Sequence, residues 1–397
     1  MTERHELRVA LDVGSRLHRV ALGDTRGAVL EEFDIPHTQS GFNRLFERLL
    51  AHGAGRMPVA VAMEGYNGYA RPLDGQVLRR GFRLFNVNNV KLARFKEIFP
   101  AAAKSDRLDA RKMLELFQLQ AHLPLAKDVL QEVGPIPVVH QELKWLTRRR
   151  KQLIREKIVL IGRLHAALLA VSPGLADITG ALDNRWFLRF ISCRDDLRQL
   201  ARLRRQSLLK IRGVGRHYAD TIQCWQAQAT FDAQVAWAGA TIIDDARATL
   251  GLIDKLKGLE GRILELLPAS PVARRILTIP GFGPISAAEL AAEIGNLGRF
   301  AQEASLALYL GMAPLEHSSG LSGGARSPKQ VNVHAKATMS VAAVRHLTQV
   351  TQSRAYYERK RTEGKTHQQA VRALGRQLVR VIWAMLKNDR DYEARKA

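Results

Sequence analysis

The residues best suited to chemistry are four acids in the first third of the chain. Asp12 ends the strand-like run LRVALDVG, and Glu64 ends VAVAMEG. Asp106 and Asp109 lie three residues apart in KSDRLDARKM, a spacing that puts both carboxylates on one face of a helix. Crowded carboxylates repel one another unless a cation joins them, so the set predicts a Mg²⁺ site, with Mn²⁺ as the alternative. Such a site assists phosphodiester chemistry.

Each acid also has a structural explanation. Asp12 could close a turn, Asp106 could cap a helix, and Asp109 could pair with Lys112 across a solvated face. The metal site is favoured because each of the four acids lies on the element, a strand end or one helical face, where a metal ligand is expected. Two nearby acids in turn-like contexts are predicted to be structural, namely Asp24 and Asp74.

The elements around the acids predict an α/β domain over residues 1–130. Three β-rich runs come first, then a helix in SGFNRLFERLLAHG, then strands in MPVAVAME and FRLFNVN. Three linked antiparallel strands, a helix and further strands resemble the ribonuclease-H-like order. In that fold an Asp on the first strand and an acid on the fourth meet at the sheet centre. A doubly wound nucleotide-binding domain is disfavoured, because VGSRLH is not a Gly-rich phosphate loop.

The rest of the chain reads as helical. One heptad series consists of Leu146, Leu153, Leu160 and Ala167, and a second of Leu252, Leu256, Leu259, Ile263 and Leu266. These series predict a coiled coil within residues 131–268, either as an antiparallel hairpin or as a dimer contact. A basic helical insert at about 173–240 separates them, and its aromatic residues (Trp186, Phe187, Phe190, Trp225, Trp237) predict a small core. Residues 269–397 form a third, mostly helical domain.

Charge predicts a polyanionic partner. The chain has 61 Lys and Arg against 38 Asp and Glu, a formal charge of +23. Nucleic acid is favoured over a membrane, because no apolar run has spanning length. From the charged N-terminus we expect no secretory signal, and two cysteines support neither a disulfide framework nor a zinc cluster. A cytosolic location is therefore expected.

Two kinds of segment are candidates for gripping phosphate. The first consists of two basic runs predicted to be helical, namely Arg148, Arg149, Arg150 and Lys151, and the arginines of LRQLARLRRQSLLKIR. The second is a helix-hairpin-helix pattern whose turn contains Gly281 and Gly283, repeated with Gly213 and Gly215. Backbone amides at such a turn can hold a phosphate without reading sequence, although the same glycines are equally typical of helix caps.

A Gly/Ser-rich basic loop follows in YLGMAPLEHSSGLSGGARSPK. It contains the doublet Ser318 and Ser319, with His317, Arg326 and Lys329 nearby. A serine nucleophile needs its proton removed and the phosphate charge neutralised, and this neighbourhood offers groups for both tasks. By itself, the triplet SSG is more typical of an ordinary loop.

The motifs stand in a characteristic order. Four acids are followed by heptad helices, then by LTIPGFGPISAAELAAEIGNLGRF, then by YLGMAPLEHSSG. In this order and in these motifs the chain resembles the DEDD transposases of the insertion sequence 110 family, over roughly residues 7–350. The resemblance implies a bacterial DNA recombinase with an N-terminal Holliday-junction-resolvase-like domain and a C-terminal transposase domain.

The resemblance also implies a mechanism. In such enzymes the acidic tetrad binds Mg²⁺, and the serine of the SG motif attacks DNA to form a covalent phosphoserine. The matching positions here are Asp12, Glu64, Asp106 and Asp109 for the tetrad and Ser319 for the nucleophile, with Ser318 as the alternative. One departure is SPKQVNVHAKATMS, which lacks the glycine of the family's Lys-x-Gly-Asn turn, and the insert is long.

The implied partners are DNA ends and target, a structured guide RNA encoded beside the gene, and further copies of the chain in a dimer or tetramer. The site would then combine tetrad and serine from different subunits, close to the bacterial nucleoid. A metal-dependent nuclease or Holliday junction resolvase that uses water as its nucleophile is the first rival. A non-catalytic nucleic-acid-binding scaffold is the second, and the presence of all four acids and the serine argues against it.

Overall fold

A computed structural model describes residues 6–64, 68–87, 92, 93, 95, 106–119, 129–313, 315–319, 322–326 and 331–394. For residues 106–108, 315–319 and 322–326 only the backbone is described. The chain forms two compact units. The first comprises residues 1–136 and 296–301, and the second comprises 137–295 and 302–397.

The first unit contains a mixed sheet of six strands in the order β3-β2-β1-β4-β5-β6. The strands are β1 (Leu7–Val13), β2 (Leu17–Gly23), β3 (Val29–Pro36), β4 (Val59–Met63), β5 (Arg83–Val87) and β6 (Leu130–Glu132). Strands β1, β2 and β3 pair antiparallel, whereas β4 pairs parallel to β1 and to β5. The central strand β4 reads VAVAM and is buried on both faces, as expected for a parallel strand between helices.

Among the described residues, the sheet is covered by the helices α1 (Gln39–Ala51), α2 (Arg71–Arg79) and α3 (Asp106–Leu119). Large side chains of β1, β2 and β4 pack with α1 and α2 on one face. On the other face the strands present alanines, including Ala10 and Ala62, and α3 packs there through Met113 and Leu114. Strand alternation puts each set on its own face, and the small residues let α3 approach closely.

Two long helices dominate the second unit: α4 (Val138–Val171) and α8 (Val235–Leu266). They run antiparallel, because Arg150 pairs with Glu260 while Arg163 pairs with Asp245. Between them lie α5 (Arg185–Ile191), α6 (Arg205–Leu209) and α7 (Arg216–Gln226). These three helices share an aromatic core that contains Trp186, Phe187, Phe190 and Trp225.

The remaining helices are α9 (Pro271–Leu277), α10 (Pro284–Ile294), α11 (Glu303–Tyr309), α12 (Val333–Gln349), α13 (Thr351–Thr362) and α14 (His367–Lys387). A hairpin of β7 (Leu315–Ser319) and β8 (Ser322–Arg326) precedes α12. Helix α14 is strongly amphipathic and begins with a capping box between Thr366 and Gln369. Among the described residues, no helix is both long and apolar enough to span a membrane.

The predicted class, an α/β region followed by a mostly helical remainder, is confirmed. The antiparallel alternative for the heptad helices is also confirmed, while supercoiling and the three domain boundaries stay predictions.

Three details were wrong. Asp74 is buried within α2 rather than in a turn, Trp237 is 67% exposed, and the Gly/Ser-rich loop contains β7 and β8. Small residues in both strands gave no β signal.

Candidate nucleic-acid-processing site

Asp12 and Glu64 lie side by side at the carboxyl ends of β1 and β4. In the parallel pairing of β1 with β4, Leu11 is opposite Met63, so the next residue along each strand is an acid. The backbone N–H of Glu64 donates to the carbonyl oxygen of Leu11 at 3.3 Å. The carboxyl ends of the two central strands thus bring together acids that are 52 positions apart in sequence.

Both acids share a face with α3. Asp12 is two residues beyond Ala10, and Glu64 is two beyond Ala62, and these alanines pack against α3. Near the start of β1, Arg8 donates from Nη1 to the carbonyl oxygen of Phe117 at 3.3 Å. Helix α3 therefore runs opposite to β1, and its first turn lies at the end of the sheet where Asp12 stands.

That first turn carries the other two predicted acids. Asp106 is the first residue of α3, and the side chain of Asp109 is half-buried. Among the side chains that the structure describes, no three His, Cys, Asp or Glu residues are arranged to hold a metal ion. The side chain of Asp106 lies outside that set. The sheet register and the direction of α3 nevertheless give the tetrad one common end of the unit.

A cation that the sequence reasoning missed stands beside this site. Arg19 is directly opposite Asp12 in the antiparallel pairing of β1 and β2. Its guanidinium pairs with Asp34 at 3.1 Å and with Glu32 at 3.7 Å. Residues directly opposite on antiparallel strands share a face, so Arg19 lies on the face that bears Asp12, with its charge balanced by Asp34 and Glu32. The available signal in the sequence was an arginine within the alternating strand LHRVALG.

The predicted nucleophile lies in the second unit, on the β7–β8 hairpin. Ser319 is the last residue of β7 and pairs with Ser322, while Ser318 pairs with Gly323. Arg326 ends β8, and Lys329 lies outside the described residues. The hairpin therefore gives Ser318 and Ser319 distinct positions along one strand.

Asn332 fixes the chain where it returns from the hairpin. Its side-chain oxygen caps α12, accepting from the backbone N–H groups of His334 and Ala335. Its Nδ2 donates to Glu293 at 2.7 Å and to the hydroxyl of Tyr309 at 2.6 Å. This residue is the one Asn in SPKQVNVHAKATMS. In the sequence, an Asn directly before a helical run is typical of an N-cap, and that was the available signal.

The basic run at 148–151 is engaged within its own unit. Arg148 donates from Nε and Nη2 to the buried carboxylate of Glu293 at 2.8 and 3.0 Å. Lys151 pairs with Glu289 and donates to the carbonyl oxygen of His334 at 2.9 Å. Arg150 pairs with Glu260 at 2.6 Å, and Arg149 approaches Glu156 at 3.9 Å. Contact of this run with phosphate stays a prediction.

The two buried glutamates were missed, although acids four residues apart in AAELAAEIG interrupt an otherwise apolar helix. Burial raises the pKa of Glu289 more than Lys151 lowers it. Burial also opposes ionisation of Glu293, but hydrogen bonds from Arg148 and Asn332 and the charge of Lys144 outweigh it and lower the pKa. Arg148 and Asn332 together therefore hold Glu293 ionised inside the unit.

Comparison with known proteins gives these features a context. The family model for the DEDD transposases of IS110, described as "Transposase", matches residues 9–173. A second model, described as "Transposase IS116/IS110/IS902 family", matches residues 273–358. The chain belongs to the IS110 family of transposases. It is accordingly an enzyme, a DNA transposase or recombinase.

Similar proteins come from several bacteria. The transposase is 27% identical to the insertion element IS110 uncharacterized 43.6 kDa protein of Streptomyces coelicolor, over 98% of this chain and 95% of the relative. It is 31% identical to the insertion element IS900 uncharacterized 42 kDa protein of Mycobacterium paratuberculosis, over 63% and 65%. It is 27% identical to a pilin gene-inverting protein of Moraxella bovis, over 36% and 46%.

Both Gly-x-Gly turns of this transposase have the same backbone form. The first glycine has a positive φ, 84° at Gly281 and 97° at Gly213. The second, Gly283 or Gly215, is the N-cap of a helix. At Gly281 an added Cβ would lie 2.7 Å from the Cα of His346, so this glycine is required for packing against α12. A phosphate-binding role for Gly281 and Gly283 stays a prediction.

Proposed function

We propose that this transposase cuts and rejoins the DNA of an insertion sequence through a covalent serine–DNA intermediate, with assistance from Mg²⁺. The observation that carries the proposal is the register of β1 and β4, which sets Asp12 beside Glu64. The sheet order, with its antiparallel β1–β3 and parallel β4, supports assignment of the first unit as a ribonuclease-H-like domain.

Asp12, Glu64, Asp106 and Asp109 are the residues that would hold the ion. Carboxylate oxygens are the ligands that Mg²⁺ prefers, and Mn²⁺ accepts the same set. The DEDD designation of the matching family supports this donor set. When bound, the ion supplies positive charge at the scissile phosphate. The four residues are carried by the carboxyl ends of β1 and β4 and by the first turn of α3, which supports a site that is folded before DNA arrives.

Ser319 performs the covalent step. Its Oγ forms a bond to phosphorus, its proton passes to a neighbouring base, and the bond from phosphorus to one deoxyribose oxygen breaks. That oxygen leaves and takes up a proton. A deoxyribose hydroxyl of another strand then attacks the phosphoserine, releasing the serine and joining the strands. Arg326 and Lys329 neutralise charge on the phosphate.

DNA is the substrate of this chemistry, and the strong positive charge of the chain supports its binding. A structured RNA that pairs with donor and target would supply sequence specificity, since no base-reading motif was found in the sequence.

Tetrad and serine would come from different subunits of a homo-oligomer. Mixing Asp12→Ala protein with Ser319→Ala protein tests this last point, because a shared site predicts recovered activity from two inactive variants.

The central experiment measures excision in cells, by amplifying the joined-end circular junction of the element. Native protein is compared with Asp12→Asn and Ser319→Ala, and covalent protein–DNA adducts are isolated in parallel. Glu47→Gln, an exposed carboxylate on α1, and Ser318→Ala are the matched controls. We expect both test variants to lose the junction product by more than a hundredfold, and Ser319→Ala to lose the adduct as well.

The outcomes separate the alternatives. Normal excision by Ser319→Ala with loss in Ser318→Ala would move the nucleophile by one residue. Normal excision by both serine variants with loss in Asp12→Asn would identify a nuclease or junction resolvase that uses water. Normal excision by Asp12→Asn would refute the tetrad.

A further inference from the structure

One segment of the second unit carries cations without counterions. From Leu197 to Ala219 the sequence contains no acidic residue. Its exposed cations that form no ion pair within the described residues are Arg202, Arg204, Lys210, Arg212 and Arg216. We refer to residues 202–216 as the open basic segment. Its uncompensated charge contrasts with the basic run at 148–151, whose side chains reach carboxylates.

The acids closest to this segment in sequence are already neutralised by other arginines. Asp196 pairs with Arg198 at 2.9 Å, and Asp220 pairs with Arg205. The carboxylates at either end thus form their ion pairs with Arg198 and Arg205, and of the five exposed cations only Arg202 interacts with Asp196, at longer range. A concentration of positive charge of this kind attracts a polyanion.

The segment is also held in one shape. Arg189 donates from Nη1 to the carbonyl oxygen of Arg212 at 2.9 Å, which ties the turn to α5. Tyr218 stacks on Trp186 with ring centroids 4.3 Å apart. The turn thus presents its charges from a fixed backbone, which lowers the entropy that binding would cost.

The turn at Gly213–Gly215 is more open than the one at Gly281, since a Cβ added at Gly213 would lie 3.2 Å from the Cβ of Trp186, whereas one added at Gly281 would lie 2.7 Å from the Cα of His346. A Cβ added at Gly215 would meet no atom within 4 Å, and Gly213, Gly215 and Arg216 are exposed. Gly215 is the N-cap of α7, a helix of 11 residues whose first amides have no partner within the helix. Lys210, Arg212 and Arg216 are exposed and lie close to this cap in sequence.

We propose that the open basic segment binds the phosphate backbone of double-stranded DNA. Duplex DNA is favoured because this enzyme is a DNA transposase and because residues 202–216 contain no aromatic residue on which unpaired bases could stack. Just beyond the segment, Tyr218 stacks on Trp186. The contacts are to the backbone, so the binding is independent of sequence and sensitive to salt.

The first test removes the charges at the turn. A triple variant, Lys210→Gln, Arg212→Gln and Arg216→Gln, is titrated against a labelled duplex of arbitrary sequence at several salt concentrations. The control removes three exposed cations of the first unit, by Arg26→Gln, Arg44→Gln and Arg56→Gln. We expect the test variant to weaken binding by roughly tenfold at 0.15 M salt and to flatten the salt slope by about 2 to 3. The control variant should change neither quantity by more than about twofold.

The second test changes charge while it preserves the helix cap. Gly215 has an ordinary φ of −87°, so Gly215→Asp and Gly215→Ser are both accommodated and both are good N-cap residues. We expect both to fold with an unchanged or slightly raised Tm. Gly215→Asp should weaken duplex binding by about fivefold, since a carboxylate at this position repels phosphate, whereas Gly215→Ser should not.

Three results would overturn the proposal. Equal losses in the test and control triples would mean that total charge, not this segment, governs binding. Unchanged binding in a folded triple variant would remove the segment from the DNA contact. A larger loss for duplex or structured RNA than for DNA would make the segment an RNA-binding surface. Because the readout is DNA affinity, none of these results depends on the serine mechanism.

Discussion

Two regions of the helical unit share sequence features and differ in their surroundings. The closed region comprises the turn at Gly281, helix α12 and the basic run with its buried glutamates. The open region is the turn at Gly213–Gly215 with residues 202–216. Both contain a Gly-x-Gly turn with a positive φ at the first glycine. Helix α12 packs against the first turn, whereas the second is exposed.

The cations differ in the same way. In the closed region Arg148 and Lys151 pair with Glu293 and Glu289, which are almost fully buried. In the open region the cations at Lys210, Arg212 and Arg216 have no such partners among the described residues. A basic run in sequence therefore does not distinguish charge that stabilises a core from charge available to a ligand. Tertiary neighbours make that distinction.

The largest expected effect tests the turns themselves. Gly281→Ala should lower the free energy of unfolding by about 3 kcal/mol or more, because the new Cβ adopts a strained φ and meets the α12 backbone. Gly213→Ala, the equivalent change at a φ of 97°, should cost less, about 1 to 2 kcal/mol, since its Cβ would come closest to the Cβ of Trp186, at 3.2 Å. Denaturant unfolding of both variants measures the difference, and equal losses would contradict the contrast between the regions.

The next effect concerns the buried ion pair. Glu293→Gln should lower the free energy of unfolding by about 2 kcal/mol, because it leaves Arg148 without its charged partner. Glu265→Gln is the control, since the Glu265 side chain is 66% exposed in its pair with Arg262 and should contribute less than about 0.5 kcal/mol. A Tm comparison suffices, and a neutral result for Glu293→Gln would show that Asn332 and Tyr309 hold this position alone.

The same carboxylate predicts a dependence of stability on pH. The folded pKa of Glu293 lies below its ordinary value of 4.5, so its ionised form stabilises the fold fully above pH 4.5. That contribution is lost as the pH falls through the lower folded pKa. The stability difference between the native protein and Glu293→Gln should therefore be largest at pH 7 and smallest near pH 3. Unfolding curves at several pH values test this, and a difference independent of pH would exclude the ion pair as its source.

The smallest expected effect lies in the open region. Arg212→Gln should change the free energy of unfolding by less than about 0.5 kcal/mol, because the exposed Arg212 side chain has no ion pair with any described residue and its backbone contact to Arg189 remains. Thermal unfolding checks the value. A loss close to that of Glu293→Gln would mean that residues 202–216 are structural rather than available to DNA.

Local patterns predicted much of the fold because they act within a few residues. Alternating runs gave β1 to β5, and the helical period gave α1, α4 and α14. The hairpin at 315–326 was missed because Ser, Gly and Ala carry no β preference. Trp237 was misplaced in the insert core because an aromatic residue at the start of α8 reads alike whether buried or exposed.

The sequence likewise predicted part of the candidate site. Asp12 and Glu64 were recognisable as acids at strand ends, and Asp106 and Asp109 as acids on one helical turn. Arg19 was missed because it lies opposite Asp12 only through the register of β1 and β2. That register cannot be read from the number of residues between them. Glu293 was missed because its partners lie on other helices, at Arg148 and Asn332.

The sequence by itself determined strands β1 to β5, the long helices, the charge and the family motifs, because these depend on residue type and on short spacing. Only the tertiary structure decided that Asp12 lies beside Glu64, that Gly281 packs against α12, and that Gly215 remains open. Each of these facts depends on which distant segments become neighbours. That choice is made by sheet register and by helix packing, through the burial of surfaces that no single segment contains.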